Sequence, residues 1–257
     1  MTIYLFAVQE EKRFSVSQVY SFANNYLSSW FPALPSYKAF NNRLNRLSEA
    51  FKAVAAHSFA TFIPAECDRD ISLLDSMPII TCSGKRKAKV ATEITDKGYC
   101  STKSIYYFGC KLHALGFHHP KHLPFPEHIV ITPASESDLN VFRQDWSAIP
   151  NRTFFGDKIY NNKEFFDDLT INVNSVMLTP VKAVKGQPEV LKQWDQAAND
   201  LFSIAVSTVR QPIESLFNWL IVKTDIQRAS KVRSTKGLLV HVFGKIAAAF
   251  ISLIYPI

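Results

Sequence analysis

The chain has 257 residues, of which 47% are apolar and 20% charged. That composition buries a core and excludes wholesale disorder, and only 8 glycines exclude collagen-like and Gly-rich linker architectures. Lysine and arginine total 29 against 22 acids, a net charge of +7 that suits a polyanionic partner, nucleic acid first.

In chain order, the N-terminal MTIYLFAVQEEKRF has an apolar run but no basic region before it and no small-residue cleavage site, so no secretory signal is expected. Residues 13–63 read as helical. Val16, Val19, Tyr20, Ala23 and Leu27 follow helical spacing, and FPALPS breaks the pattern at 31–36. The next helix carries an apolar stripe of Tyr37, Phe40, Leu44, Leu47 and Phe51. Its other face holds Asn41, Asn42, Arg43, Asn45 and Arg46. Asparagine and arginine are the side chains that pair bidentately with adenine and guanine edges. Two helices with a short break fit a helix-turn-helix, and equally a solvated surface face. Strands are predicted at 71–80, 104–116, 127–135, 152–160 and 171–181. Helices are predicted at 136–149, at 162–169 and from about 189 onward. This order implies an α/β or α+β sheet domain. Residues 238–257 are nearly long enough to span a membrane. His241 and Lys245 lie inside that run, and a central lysine costs roughly 2.5–3.5 kcal/mol on insertion scales, which favours a buried terminal helix. Cys67, Cys82, Cys100 and Cys110 have no CxxC spacing and read as free thiols of a reduced cytosolic protein.

Three acids interrupt apolar surroundings. Asp75 lies within ISLLDSMPII, Asp157 follows Phe154, Phe155 and Gly156, and Glu214 lies in PIESLFNWLIV. Burying a carboxylate without a partner is expensive, and a cation held among several carboxylates removes that cost. Mg²⁺ or Mn²⁺ takes oxygen ligands, and two such ions roughly 3.5–4 Å apart form the usual clamp for in-line phosphoryl transfer. Taken singly, each acid also reads as a capped or salt-bridged residue. His113, in KLH, reads either as a residue facing the active edge or as a satisfied core histidine. Cys110, His113, His118, His119 and His122 are too irregularly spaced to predict zinc. No GxSxG, GxGxxG or P-loop pattern occurs. Basic clusters at Lys85, Arg86, Lys87 and Lys89, and at Lys223, Arg228, Lys231, Arg233 and Lys236, would neutralise phosphates.

LLDSMPI around Asp75, FGDKIY around Asp157 and RQPIESLFNWL around Glu214 resemble the three signatures of bacterial insertion-sequence DDE transposases, nearest to insertion-sequence family nine-eight-two. CSGKRKAKVATEITDKGYCSTKSIYYFGCKLHALG and KVRSTKGLLVHVFGKIAAAFI resemble further segments of that family, and the likeness runs from about residue 37 to the end. The resemblance implies an RNase H-like mixed five-stranded sheet with flanking helices. It places Asp75 on the first strand, Asp157 just after the fourth and Glu214 on the following helix, as ligands of two Mg²⁺ or Mn²⁺ ions. In related transposases a Tyr, an Arg and a Lys surround the third acid. Arg210 keeps the arginine here as a phosphate contact, whereas Ser207 and Ile221 replace the other two and Lys223 lies two positions late. The N-terminus is short for the family. Pro212 suggests a helix start, with Thr208 to Gln211 as its cap region.

The expected organisation is a helix-turn-helix-like DNA-binding region at 1–64, a catalytic domain at 65–225 and a helical tail at 226–257. Arg43, Arg46, Lys85, Arg86, Lys87, Arg210, Lys231 and Arg233 are the expected DNA contacts. The resemblance implies a cytoplasmic, nucleoid-associated bacterial enzyme, free of membrane, that cuts element ends at their terminal inverted repeats and joins them to target DNA as a homodimer or larger assembly. The competing readings are a metal-dependent nuclease on the same core, an inactive truncated copy that only binds DNA, and a membrane-associated protein.

Overall fold

The computed structural model of the protein describes residues 1–85, 89–101, 103–181 and 186–255. Four helices come first: α1 (Thr2–Gln9), α2 (Val16–Tyr26), α3 (Tyr37–Asn45) and α4 (Ser48–Thr61). A capping box starts α2, where Ser15 accepts from the Gln18 amide and the Gln18 side chain accepts from the Ser15 amide. The strands β1 (Asp68–Ser83), β2 (Asp96–Cys100), β3 (Ile105–His118) and β4 (Phe125–Pro133) follow. Next are α5 (Asp138–Val141), which continues as a π-helical turn to Trp146, then β5 (Thr153–Phe155), α6 (Lys163–Val173) and β6 (Val176–Leu178). The last helices are α7 (Glu189–Arg210), α8 (Pro212–Thr224), α9 (Thr235–Leu239) and α10 (Lys245–Ile254), with a π-helical turn joining α9 to α10.

The strands form one mixed sheet. β3 pairs antiparallel with β1 on one side and with β2 and β4 on the other. β5 runs parallel to β1, and β6 parallel to β5. The path β2–β3–β1–β5–β6, with β4 beside β3, is compatible with an RNase H-like sheet. Pro78 fits in the long central strand because its ring nitrogen faces away from β3. Beyond Leu73 β1 has no β5 partner, and two residues on the Ile80 amide donates to the Gln227 carbonyl at 2.8 Å.

Strand alternation gives the sheet two apolar faces. Leu73, Met77 and Ile79 pack under α1, α4, α8 and α10. Leu74, Leu115 and Phe154 pack under α5, its π turn and α6, around Phe142, Trp146 and Tyr160. The first face is locked by edge-to-face aromatic pairs, Phe59 with Phe250 at 5.0 Å and Tyr4 with Phe51 at 5.3 Å. Buried residues of α1, α2 and α4 therefore share one core with β1 and the C-terminal helices.

Thr235–Ile254 is the one helical stretch among the described residues that is long and apolar enough to cross a membrane, and it packs inside this core. Lys245 is almost wholly buried there. Its Nζ donates to the Asp225 carbonyl at 3.1 Å, and burial lowers its pKa to about 7. His241 is also buried, with Nε2 2.7 Å from the Ile226 carbonyl oxygen. In contrast, most of α7 faces solvent, with Val190, Leu191, Trp194 and Leu201 exposed.

Several elements differ from the sequence expectation. β2 is an additional strand, so the sheet has six strands rather than five. The expected strand at 152–160 ends at Phe155, because Asp157 caps a 3₁₀ turn over Lys158–Tyr160. The expected strand at 171–181 is divided. Its first residues belong to α6, which ends at Asn174 in the left-handed conformation, and only Val176–Leu178 is strand. Thr208 and Arg210 are not a cap region either, since α7 continues through them to a helical Gln211.

Candidate active site

The site is set by strand register. Leu73 of β1 lies opposite Phe155 of β5 in the parallel pair. Asp75 lies two residues beyond this last pair on β1, and Asp157 lies two residues beyond the end of β5, so the parallel pairing leads both acids toward the same end of the two strands. Residues two apart on a strand share a face, so the Asp75 carboxylate belongs to the side of Leu73, over which α7 and α8 pass.

Gly156 makes the turn into Asp157 possible. A Cβ there would lie 2.8 Å from the Tyr160 ring and 3.2 Å from Met177 Sδ, so only glycine lets the chain pass this close to the aromatic residue beneath it. Asp157 is exposed, and its Oδ1 accepts from the Lys158 amide at 2.7 Å. Tyr160 is buried, and its hydroxyl has no hydrogen-bond partner among the described residues. Burial raises its pKa, and the negative charges of Asp138, Asp75 and Asp157 add to the effect.

The third acid arrives on the helix junction. α7 ends at Arg210, Gln211 keeps helical dihedrals, and Pro212 occupies the first turn of α8, where its missing N–H costs nothing. The backbone therefore stays nearly continuous, and Arg210 and Glu214 stand one turn apart on one face. Arg210 Nη1 donates to Asp75 Oδ2 at 2.9 Å, and Nη2 donates to Glu214 Oε1. Its Nε is buried without a partner among the described residues. The guanidinium bridges two of the three acids, and it also feels the charge of Asp157.

Burial pushes the Asp75 carboxyl up to about 6. Arg210 and the Ser76 amide, which donates to Asp75 Oδ1 at 2.7 Å, oppose that rise, and Asp138 and Glu214 add to it. Desolvation thus outweighs the arginine. Two carboxylates, Asp75 and Glu214, converge on one positive group, and an all-oxygen donor set of this kind with one member under-compensated fits a hard divalent cation. Asp75, Asp157 and Glu214 are the residues that could hold it. Among the described residues no group of three or more His, Cys, Asp or Glu side chains is arranged to hold a metal ion.

The other expected site residues scatter. His113 does not face this edge, which corrects the active-edge reading. It pairs across the strands with Ser76, so its side chain lies on the opposite face from Asp75. There it is fully buried, with Nε2 2.8 Å from Thr132 Oγ1 and Nδ1 3.4 Å from Asp138 Oδ1, and burial lowers its pKa to about 4. Arg43 lies beside the Trp30–Pro35 segment, whereas Arg46 faces Ser234–Lys236. Lys85 is exposed just after β1. Lys231 and Arg233 are exposed on the loop between α8 and α9. Arg86 and Lys87 lie outside the described residues.

Asp138 was not foreseen. It is nearly buried at the start of α5, where it accepts from Ser76 Oγ at 3.0 Å and Lys111 Nζ at 3.3 Å. This network backs β1 directly behind Asp75. The sequence offers only a helix-start SESD, the ordinary signature of a surface cap.

The sequence model of the transposase DDE domain family matches residues 66–251, and the chain belongs to that family. Neither the curated proteins nor the solved structures give a match.

Proposed function

We propose that this DDE-family chain is an insertion-sequence transposase, within the nine-eight-two group, that cuts DNA at its element's terminal inverted repeats and joins the ends to target DNA. The observation that carries the reading is the pairing of Arg210 with both Asp75 and Glu214, with Asp157 just beyond the end of β5, the strand that runs parallel beside β1. In this reading Asp75, Asp157 and Glu214 hold two Mg²⁺ or Mn²⁺ ions. When bound, such ions lower the pKa of a ligated water and stabilise the charge that develops on a phosphodiester. Arg210, which here pairs with Asp75 and Glu214, would then be available to bind a phosphate oxygen, a role for which a forked guanidinium is suited. Asp157 caps the 3₁₀ turn whose Tyr160 ring packs against Gly156. The expected DNA contacts Arg43, Lys85, Arg86 and Lys87 belong to the same proposal as sequence-independent phosphate ligands. Two copies of the chain are expected on paired ends, acting in the bacterial cytoplasm at the nucleoid.

The test is to incubate the full chain with a DNA fragment carrying the element's ends, with and without Mn²⁺, beside Asp157→Ala. Metal-dependent nicking at the ends with joined products, absent from the variant, supports the reading. Cutting that survives in Asp157→Ala overturns the acid assignment. Cutting without joining leaves a nuclease.

A further inference from the structure

Away from the three acids, the two ends of the chain meet along one groove of mixed polar and apolar lining. Its volume is about 820 Å³, and its walls are the start of α2 with α3 on one side and the loop between α8 and α9 on the other. Asn41 and Asn45 line it together with Arg228 and Lys231. A second, smaller hollow continues the surface past Asn45 to Arg46 and Lys236. Gly237 marks the join, since a Cβ there would lie 3.1 Å from Ser234 Oγ and 3.5 Å from Asn45 Oδ1. The asparagine and arginine face of α3 and the basic loop, separated by nearly two hundred residues of chain, are thus one surface. The family match begins at residue 66 and so covers only the loop wall.

The charge is one-sided. Among the described residues Asp225 is the only acid lining either hollow, and its contact with Arg228 is 3.9 Å. Arg46, Lys231 and Lys236 are exposed and make no ion pair among the described residues. Arg233 differs, because its Nη1 donates to the carbonyls of Ser230 and Val232 and so shapes the loop. Uncommitted cations beside amide side chains form a surface for an extended polyanion: cations neutralise phosphates, and amides donate to them without adding charge.

The groove has a fixed offset from the acids. The loop is fastened to β1 where the Ala229 amide donates to the Ile80 carbonyl at 2.9 Å and the Ile80 amide donates to Gln227. Ile80 is five residues along β1 from Asp75, about 17 Å at the strand rise. At 3.4 Å per base step that distance is about five base pairs.

We propose that this composite groove is a second DNA-backbone site, which grips the duplex about five base pairs from the phosphodiester presented to the acids. The proposal rests on the transposase reading for its partner and assigns a separate surface. It makes α2 and α3 one wall of a site completed by the C-terminal loop.

The experiment measures the affinity of the full chain for a duplex of about 30 base pairs in EDTA across a salt series. Arg228→Ala/Lys231→Ala is compared with Arg46→Ala, after matching thermal melts establish that each variant is folded. The double variant should flatten the slope of log affinity against log salt by about 1.8, and Arg46→Ala by about 0.9, at about 0.9 per phosphate no longer neutralised. Phosphate-ethylation interference should show that the phosphates released in both groove variants fall within one short stretch, offset from the nick by about five base pairs. Unchanged slopes in the groove variants overturn the proposal, even if the wild type cuts DNA with Mn²⁺. The expected slopes from a wild type that never cuts keep the groove and overturn the catalytic reading instead. Binding of polyglutamate with no binding of duplex assigns the groove to an acidic polypeptide and overturns it.

Discussion

Replacing Asp75 with asparagine should make the metal-free protein more stable, and more so as the pH rises. The carboxyl has a pKa of about 6 in the folded chain against an ordinary 3.8, and burial is the main cause. A raised carboxyl pKa means that the folded state binds the proton more tightly than the unfolded chain does. The associated stability is complete below about pH 3.8 and is lost as the pH climbs through about 6. Above that window the ionised carboxylate costs about 3 kcal/mol, at 1.36 kcal/mol per pH unit. Asparagine is the neutral isostere and keeps an acceptor for Arg210, so it removes this cost. Urea denaturation in EDTA should find Asp75→Asn about 3 kcal/mol more stable than wild type at about pH 8. The difference should shrink to near zero at about pH 4. For a chain of this size that gain is about 6–12 °C in melting temperature. Mn²⁺ should then raise the melting temperature of the wild type and leave the variant unmoved. If Asp75→Asn is less stable than wild type at about pH 8, or its advantage is the same at both pH values, burial does not dominate this carboxyl and the argument fails.

Other substitutions probe other links. Gly156→Ala pushes a methyl group into the Tyr160 ring and Met177 Sδ, and should cost about 1–3 kcal/mol while displacing Asp157. Denaturation and end-nicking assays should both register the loss, and unchanged nicking would show that the turn does not need this close approach. Lys245→Met should stabilise the fold near neutral pH, because burial lowers the lysine's pKa from 10.5 to about 7. A lowered lysine pKa removes stability as the pH falls below about 10.5, so the gain should be larger at about pH 7 than at about pH 9.5. Melting curves at the two pH values decide it. Glu127→Gln removes the charge that Arg152 meets with both Nη atoms, at 2.8 and 3.3 Å, and both side chains are largely buried. A loss of about 3 kcal/mol in urea is expected, since an unpaired arginine stays behind at the start of β5.

The parts legible in the sequence are those with local causes. Asp75 and Asp157 stand out because each interrupts an apolar run, and apolar runs in a sheet protein are strands. Glu214 stands out because Ile213, Leu216, Phe217 and Leu220 repeat at helical spacing around it, and all four are buried. The bond from Arg210 to Glu214 follows once Gln211 is known to stay helical, which Pro212 at the head of α8 allows but does not dictate. What the sequence hides is non-local. β2 reads DKGYC, with no alternation of its own, and exists because β3 is long enough to offer it an edge. β6 is three residues long and follows a left-handed Asn174, so its apolar letters merge with the last turn of α6. His113 carries the right chemistry for an active edge. Its register opposite Ser76 rather than Asp75 sends it to the other face, and a one-residue step in pairing decides which side a strand residue serves.

The two faces of β1 carry their acids on different terms, and the difference is one of mobility. Behind the strand, Asp138 is held by Ser76 and Lys111 beside a buried His113, and each of these neighbours is itself anchored in a strand. In front, Asp75 faces a single cation, and that cation stands at a helix junction on a long side chain whose other partner, Glu214, is more than half exposed. A cation that competes for Asp75 has to displace only one side chain, and the released guanidinium moves toward solvent without unmaking any strand pairing. Burial keeps the Asp75 carboxylate short of compensation, so the exchange relieves a cost already present in the folded chain. A rigid network behind the strand and a replaceable counter-ion in front of it make the front face the one suited to take up and release charged ligands.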